Sequence, residues 1–143
     1  MDQDIPQICL CIELRSAAQK LTKIYDKALK PVGITVTQFS LLHKVQHLDH
    51  PTLNDLAKAT DLDRSTLGRN LRLLQNIGLI KMQSGTDART KIIHLTKSGH
   101  RLFDQAAPLW QKVQSTLKNR LGEDKRSVLT ELLTDLSSDP ALS

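Results

Sequence analysis

Residues 51–60 read PTLNDLAKAT, residues 63–78 DRSTLGRNLRLLQNIG, and residues 79–96 LIKMQSGTDARTKIIHLT. Thr52 to Lys91 is the segment that the rest of the chain supports. The first segment is a short apolar helix pattern that ends in the turn Thr60-Asp61-Leu62. Thr52 is placed to cap it, with Asp55 three residues on completing a capping box, and Leu53, Leu56 and Ala57 supply its core contacts. Asp63 caps the second helix, in which Leu67, Leu71 and Leu74 face inward and Ile77-Gly78 forms the stop. Two short helices in succession, the second carrying outward hydroxyls and arginines, are how a helix-turn-helix reads in sequence. Leu79–Gln83 and Thr90–Leu95 then alternate or run apolar as strands do, around a polar tip from Ser84 to Arg89. A basic hairpin directly after the second helix makes the motif winged.

Toward the N-terminus, Ile8–Lys30 is predicted as one long helix, because Cys11, Leu14, Ala18, Leu21, Tyr25 and Ala28 recur at the spacing of a helix–helix seam. Pro31-Val32-Gly33 turns the chain. Thr37 is expected to cap a second helix to about Leu48, with Phe39, Leu41, Leu42, Val45 and Leu48 buried, and Asp49-His50-Pro51 breaks it. On the far side, Thr96 caps a helix to roughly Asn119, with a kink expected at Pro108. Gly122 separates it from a last helix whose apolar face is Val128, Leu129, Leu132, Leu133 and Leu136. The fold class is mainly α with a small β-wing. It divides into a dimerisation helix (1–34), a winged helix-turn-helix domain (35–96) and C-terminal dimerisation helices (97–143). The long apolar helices at both chain ends are expected to bury one another across a two-fold axis; the competing reading is a monomeric cap.

Composition narrows the class. The chain has 143 residues, 24% charged and 39% hydrophobic, which suits a folded domain rather than disorder. Aromatics are only 3%, too few to form the stacking platforms of single-strand nucleic-acid binders. The net charge is +5, and between Asp63 and Lys91 six cations (Arg64, Arg69, Arg72, Lys81, Arg89, Lys91) face two acids (Asp63, Asp87), leaving +4 in that stretch. Such focused charge points to a polyanionic partner. The acidic N-terminus lacks a signal-peptide layout, and no apolar run approaches the ~20 residues of a membrane span. The two cysteines, Cys9 and Cys11, frame no disulfide scaffold, so a cytoplasmic location is expected. No Gly-rich phosphate loop, nucleophile with His and acid partners, or carboxylate pair is visible. The expectation is therefore no catalytic residues and no cofactor.

The element order resembles the MarR (multiple antibiotic resistance regulator) family. Three segments carry the resemblance: Ile34–Leu42 (ITVTQFSLL); Asp63-Arg64-Ser65-Thr66-Leu67 leading through Leu71 and Leu74 to Gly78-Leu79-Ile80; and Asp87-Ala88-Arg89 followed by Leu95-Thr96-Lys97-Ser98-Gly99. It covers the chain from about Ile8 to Leu136. The resemblance implies a homodimer on a pseudo-palindromic operator of double-stranded DNA, usually repressing and often released by a small-molecule effector or an oxidant. The usual effector pocket lies where the helical dimer layer meets the winged domain.

Candidate DNA-binding residues are Arg64, Ser65, Thr66, Arg69, Asn70 and Arg72 of the fourth helix, with Arg89 and Lys91 of the wing. In a major groove, hydroxyls reach base edges or phosphates and arginine grips guanine through two hydrogen bonds; the bland reading is a solvated helix face. Arg64 can equally salt-bridge the wing. Arg89 resembles the family's wing arginine, which enters the minor groove. Asp87 would repel phosphates and is read as orienting a neighbouring arginine.

Gln7-Ile8-Cys9 also resembles the N-terminal helix of the family's organic-peroxide-sensing branch, with Cys9 at the reactive position. Glu13, Lys23 and Val36, however, stand where that branch has tyrosines. Cysteines at i and i+2 point about 200° apart on a helix, poor geometry for a disulfide, and Cys11 on the apolar seam reads as packing. Oxidant sensing through Cys9 is thus one alternative, and a winged-helix protein-interaction module without DNA is another. His43, His47 and His50 have metal-like spacing but no completing ligand set, so no metal is expected.

Overall fold

A computed structural model describes residues 8–87 and 89–142. Gln7, beside Cys9, and Ala88 of the wing motif lie outside the described residues. The elements are α1 (Leu10–Leu29), a 3-10 turn (Lys30–Val32), α2 (Val36–Leu48), α3 (Leu53–Ala59), α4 (Arg64–Asn76), β1 (Ile80–Ser84), β2 (Lys91–Leu95) and α5 (Lys97–Ser138), with a last 3-10 turn at Pro140–Leu142. The architecture is mainly helical with one two-stranded antiparallel hairpin.

Side-chain caps start α2, α3, α4 and α5. At α3 the Asp55 N–H donates to Thr52 Oγ1 at 3.1 Å, and the Thr52 N–H donates to Asp55 Oδ2 at 2.9 Å. At α2 the cap is Thr35, not Thr37: the Gln38 N–H donates to Thr35 Oγ1 at 3.2 Å and the Thr35 N–H to Gln38 Oε1 at 3.0 Å. A reciprocal box needs a side chain three residues on that reaches back. Gln38 reaches from Thr35, whereas Ser40 is too short to do so from Thr37. Gly33 takes up φ 75 where the chain leaves α1 for α2, a left-handed conformation that favours glycine.

The core gathers Leu29, Ile34, Phe39, Leu41, Leu42 and Val45 with Leu56, Leu67, Leu71, Leu74, Ile80 and Ile93, and Ala106 of α5 closes it. Each buried leucine is worth roughly 1.5–3 kcal/mol over an exposed one. Leu48, expected inside, is 40% exposed. It belongs to the last turn of α2, which overhangs the core and lies beside Asp55, Lys58 and Ala59. Asp49 and His50 then both take positive φ, 54° and 58°, to swing the chain into α3.

In the hairpin Ile80 pairs with Leu95, Met82 with Ile93 and Ser84 with Lys91. The outer side of β2 is tied down too: the Ile93 N–H donates to the Pro51 carbonyl at 2.9 Å, and Thr52 bridges Ile92. The root of the wing is therefore fastened to the entry of α3.

The backbone of α5 stays helical at Pro108 and leaves helical angles at Gly122 (φ 79, ψ 167), so residues 97–121 and 123–138 form two rods. Tyr25 donates from its hydroxyl to Gln114 Oε1, tying α1 to α5, and burial pushes its phenol pKa up. Much of the apolar surface of both terminal helices is nonetheless uncovered among the described residues. Leu10, Ile12, Leu14, Leu21 and Ile24 of α1 and Val128, Leu129, Leu132, Leu133 and Leu136 of α5 are all exposed. Cys11, expected to pack on the seam, is exposed as well among the described residues.

Candidate nucleic-acid interface

Local sequence builds the surface of α4. Asp63 stands just outside the helix in extended conformation, and its carboxylate accepts the Thr66 N–H at 2.7 Å. That backbone bond holds the Asp63 carboxyl below its ordinary value. The same bond pattern, from the Thr52 amide, lowers Asp55. With Leu67, Leu71 and Leu74 fully buried on one side, the helix has a fixed rotation. Arg64, Ser65, Arg69 and Arg72 are consequently exposed.

Thr66 and Asn70 are only half-exposed, and each bonds locally, Thr66 to the cap and Asn70 to its own helix. The Thr66 hydroxyl donates to Asp63 Oδ2 at 3.1 Å, and Asn70 Nδ2 donates to the Thr66 carbonyl at 2.9 Å. Base contact by either would first break or share such a bond. Arg64 donates from Nη2 to Asn54 Oδ1 of α3 and does not salt-bridge the wing. Asn54 is ten positions away in sequence and nothing there pairs it with Arg64. It is a residue that reading the chain misses.

At the wing tip the Gly85 N–H donates to the Thr90 carbonyl at 2.7 Å and the Thr90 N–H to the Asp87 carbonyl at 2.9 Å. Asp87 Oδ1 accepts the backbone N–H of Arg89 at 3.0 Å. Asp87 thus shapes the turn rather than gripping a guanidinium; among the described residues no lysine or arginine pairs with a carboxylate. Arg89, Lys91 and Lys81 are all exposed. A hairpin whose acid is spent on its own backbone presents an exposed arginine beside it. Such a tip is chemically suited to phosphates or a negatively charged groove.

The remaining candidates sit elsewhere. Cys9 precedes the first turn of α1 and is exposed. The rings of His43 and His47 stack at 5.8 Å on α2, and His50 bonds Asp49 at 2.7 Å. Among the described residues no three His, Cys, Asp or Glu side chains gather to hold a metal. No helix among the described residues is long and apolar enough to cross a membrane.

Comparison with known proteins bears on this geometry. The MarR family profile matches residues 32–90, the span from the end of α1 to the wing. A Mycobacterium tuberculosis transcriptional regulator, MosR, solved in complex with DNA, shares 37% identity and superposes with TM-score 0.79 over 87% of this chain and 93% of its own. The chain belongs to the MarR family. An E. coli MarR mutant complexed with operator DNA is 26% identical with TM-score 0.83, covering 94% of this chain and 96% of that one. YhbI of Bacillus subtilis (strain 168), an uncharacterized HTH-type transcriptional regulator, is 29% identical over 124 residues, 86% of this chain and 80% of its own. MarR proteins are transcriptional regulators rather than enzymes, and the fold is their winged helix.

Proposed function

We propose that the protein is a homodimeric transcriptional repressor of the MarR type, bound to a pseudo-palindromic operator and released by a small-molecule effector. The observation that carries the reading is the exposure of all six cations between Arg64 and Lys91 on one helix and its adjoining hairpin, over a core that fixes both. In the proposed complex α4 enters the major groove and the wing reaches the minor groove. Ser65, Thr66, Arg69 and Asn70 read bases; Arg64, Arg72 and Lys91 hold phosphates. MosR and MarR, each solved on DNA, support carrying this arrangement over.

Dimerisation is supported by the bare apolar faces of α1 and of residues 123–138, which would otherwise stand in water. Two copies would set their fourth helices about 34 Å apart, one turn of DNA. The effector is supported by a cavity of about 220 Å³ between α2 and α5, lined by Phe39, His43, Phe103 and Trp110. Phe39 stacks on Phe103 at 5.1 Å and on Trp110 at 5.6 Å. A gel shift with the gene's own upstream intergenic DNA, paired with sedimentation, tests the reading. It expects a dimer that retards the duplex; a monomer indifferent to palindromic DNA overturns it.

Thiol-based sensing is a second reading, supported by the exposure of Cys9, which leaves it open to peroxides. Diamide or cumene hydroperoxide would then abolish the gel shift in the wild type and not in Cys9→Ser.

A further inference from the structure

The junction between the fourth and fifth helices is built more tightly than a loop requires. The Thr96 N–H donates to the Leu79 carbonyl at 3.1 Å, one step past the last hairpin pair, Ile80 with Leu95. Its hydroxyl then serves both helices. Oγ1 accepts the Gly99 N–H at 3.0 Å, capping α5, and donates to the Gly78 carbonyl at 2.5 Å, just past the end of α4. Gly78 is itself the left-handed stop of α4, at φ 81. Gly99 is packed so closely that a Cβ there would stand 2.0 Å from the Leu79 carbonyl oxygen. Backbone oxygen is not the end of a flexible chain and cannot yield without moving the strand.

We infer that Thr96 and Gly99 rivet the end of α4 to the start of α5, so that the helix presented to DNA turns with the helix of the dimer layer. Thr96 is on this account a positioning residue for operator binding. The inference rests on the proposed function for its meaning but not for its geometry. One hydroxyl bonded to the first turn of α5 and to the glycine that stops α4, next to a position where only hydrogen fits, ties the two helix ends together. A change of angle in α5 is then passed to α4 without being absorbed at the joint. Spacing of the two half-sites would depend on Thr96, while the grip of one α4 on one half-site would not.

The test has two arms, both on the full chain. In the first, duplexes selected from a random library by the wild type are offered as two half-sites, as one half-site, and with the half-sites displaced by one base pair. Thr96→Val is expected to weaken the two-site duplex about tenfold, the order of one lost hydrogen bond, while holding one half-site within about twofold. It should also tolerate the displaced spacing better than the wild type does. Thr96→Ser should restore wild-type behaviour. Thr35→Ala removes a comparable cap from α2 and is expected to lower stability alone.

In the second arm, nitroxides at Gln75→Cys and Gln105→Cys, in a Cys9→Ser/Cys11→Ser background diluted with unlabelled protein, report the distance between α4 and α5. The distribution should be narrow in the wild type, in Thr96→Ser and in Thr35→Ala, and broad in Thr96→Val. A distribution as narrow in Thr96→Val as in the wild type, or equal weakening on one and two half-sites, overturns the rivet. If the wild type selects no duplex, the DNA reading fails and the distance measurement alone decides the rivet.

Discussion

Arg64, the first residue of α4, is held through Nη2 by the side-chain oxygen of Asn54 on α3. The two helices of the motif are thus joined by a polar contact at their outer edge as well as by leucines beneath. An exposed bond of this kind adds about 0.5–1.5 kcal/mol at most. Its larger effect is to narrow the directions in which the guanidinium can point.

Asn54→Ala is accordingly expected to lower affinity for every duplex by about threefold, the cost of freeing one side chain, with sequence preference unchanged. Titration of selected and scrambled duplexes checks it. A loss confined to the selected duplex would make Asn54 a reader of bases.

Arg69 is exposed on α4 with no bond to its own chain among the described residues. Arg69→Ala should cost roughly 1–3 kcal/mol of discrimination at one base pair and relax preference there. Retention of full discrimination in a competition assay would move Arg69 to the phosphate backbone.

Arg89→Ala acts on the wing. All duplexes should bind more weakly, and the slope of log affinity against log salt should fall by about 1. An unchanged slope would mean that the wing touches no phosphate and no groove.

Asp63 gives a pH dependence with a definite sign. Its carboxyl is held below the ordinary 3.8, first by the Thr66 amide. A lowered folded value means that this stabilisation is complete above the unfolded value and is lost as pH falls through the folded one. The loss should therefore set in below about pH 4. Asp63→Asn still caps but cannot be protonated there, so its urea midpoint should fall less between pH 5 and pH 2 than the wild type's. Parallel decline of both proteins would count against it.

Much of this fold is legible in the chain because its signals are local. Thr52, Asp63 and Thr96 each cap the helix they precede, and Gly122 breaks the long C-terminal pattern where expected. The failures share a cause, namely choices among partners that sequence spacing alone leaves open. Thr35 and Thr37 are both plausible caps until Gln38 is seen reaching back. Leu48 fits the helical period yet stays 40% exposed at the end of α2, with only the short helix α3 beside it. Arg64 chooses Asn54 over the wing, and Asp87 chooses the Arg89 amide over its guanidinium. Both choices depend on distances that spacing does not encode. Thr66 and Asn70 look outward by period but turn their polar atoms back, Thr66 to the cap and Asn70 to its own helix.

The bond from Ile93 to Pro51 anchors the middle residue of β2, and each strand of the hairpin is five residues long. At about 3.4 Å per residue, the four steps from Ile93 to Arg89 carry the tip arginine at most roughly 14 Å from that anchorage. Reach, on this construction, is a matter of arithmetic. Lengthening both strands by a matched pair of residues would carry the tip arginine about 7 Å farther out without reversing the face of any side chain. The protein's footprint on a duplex would then be graded by strand length, leaving its reading helix untouched.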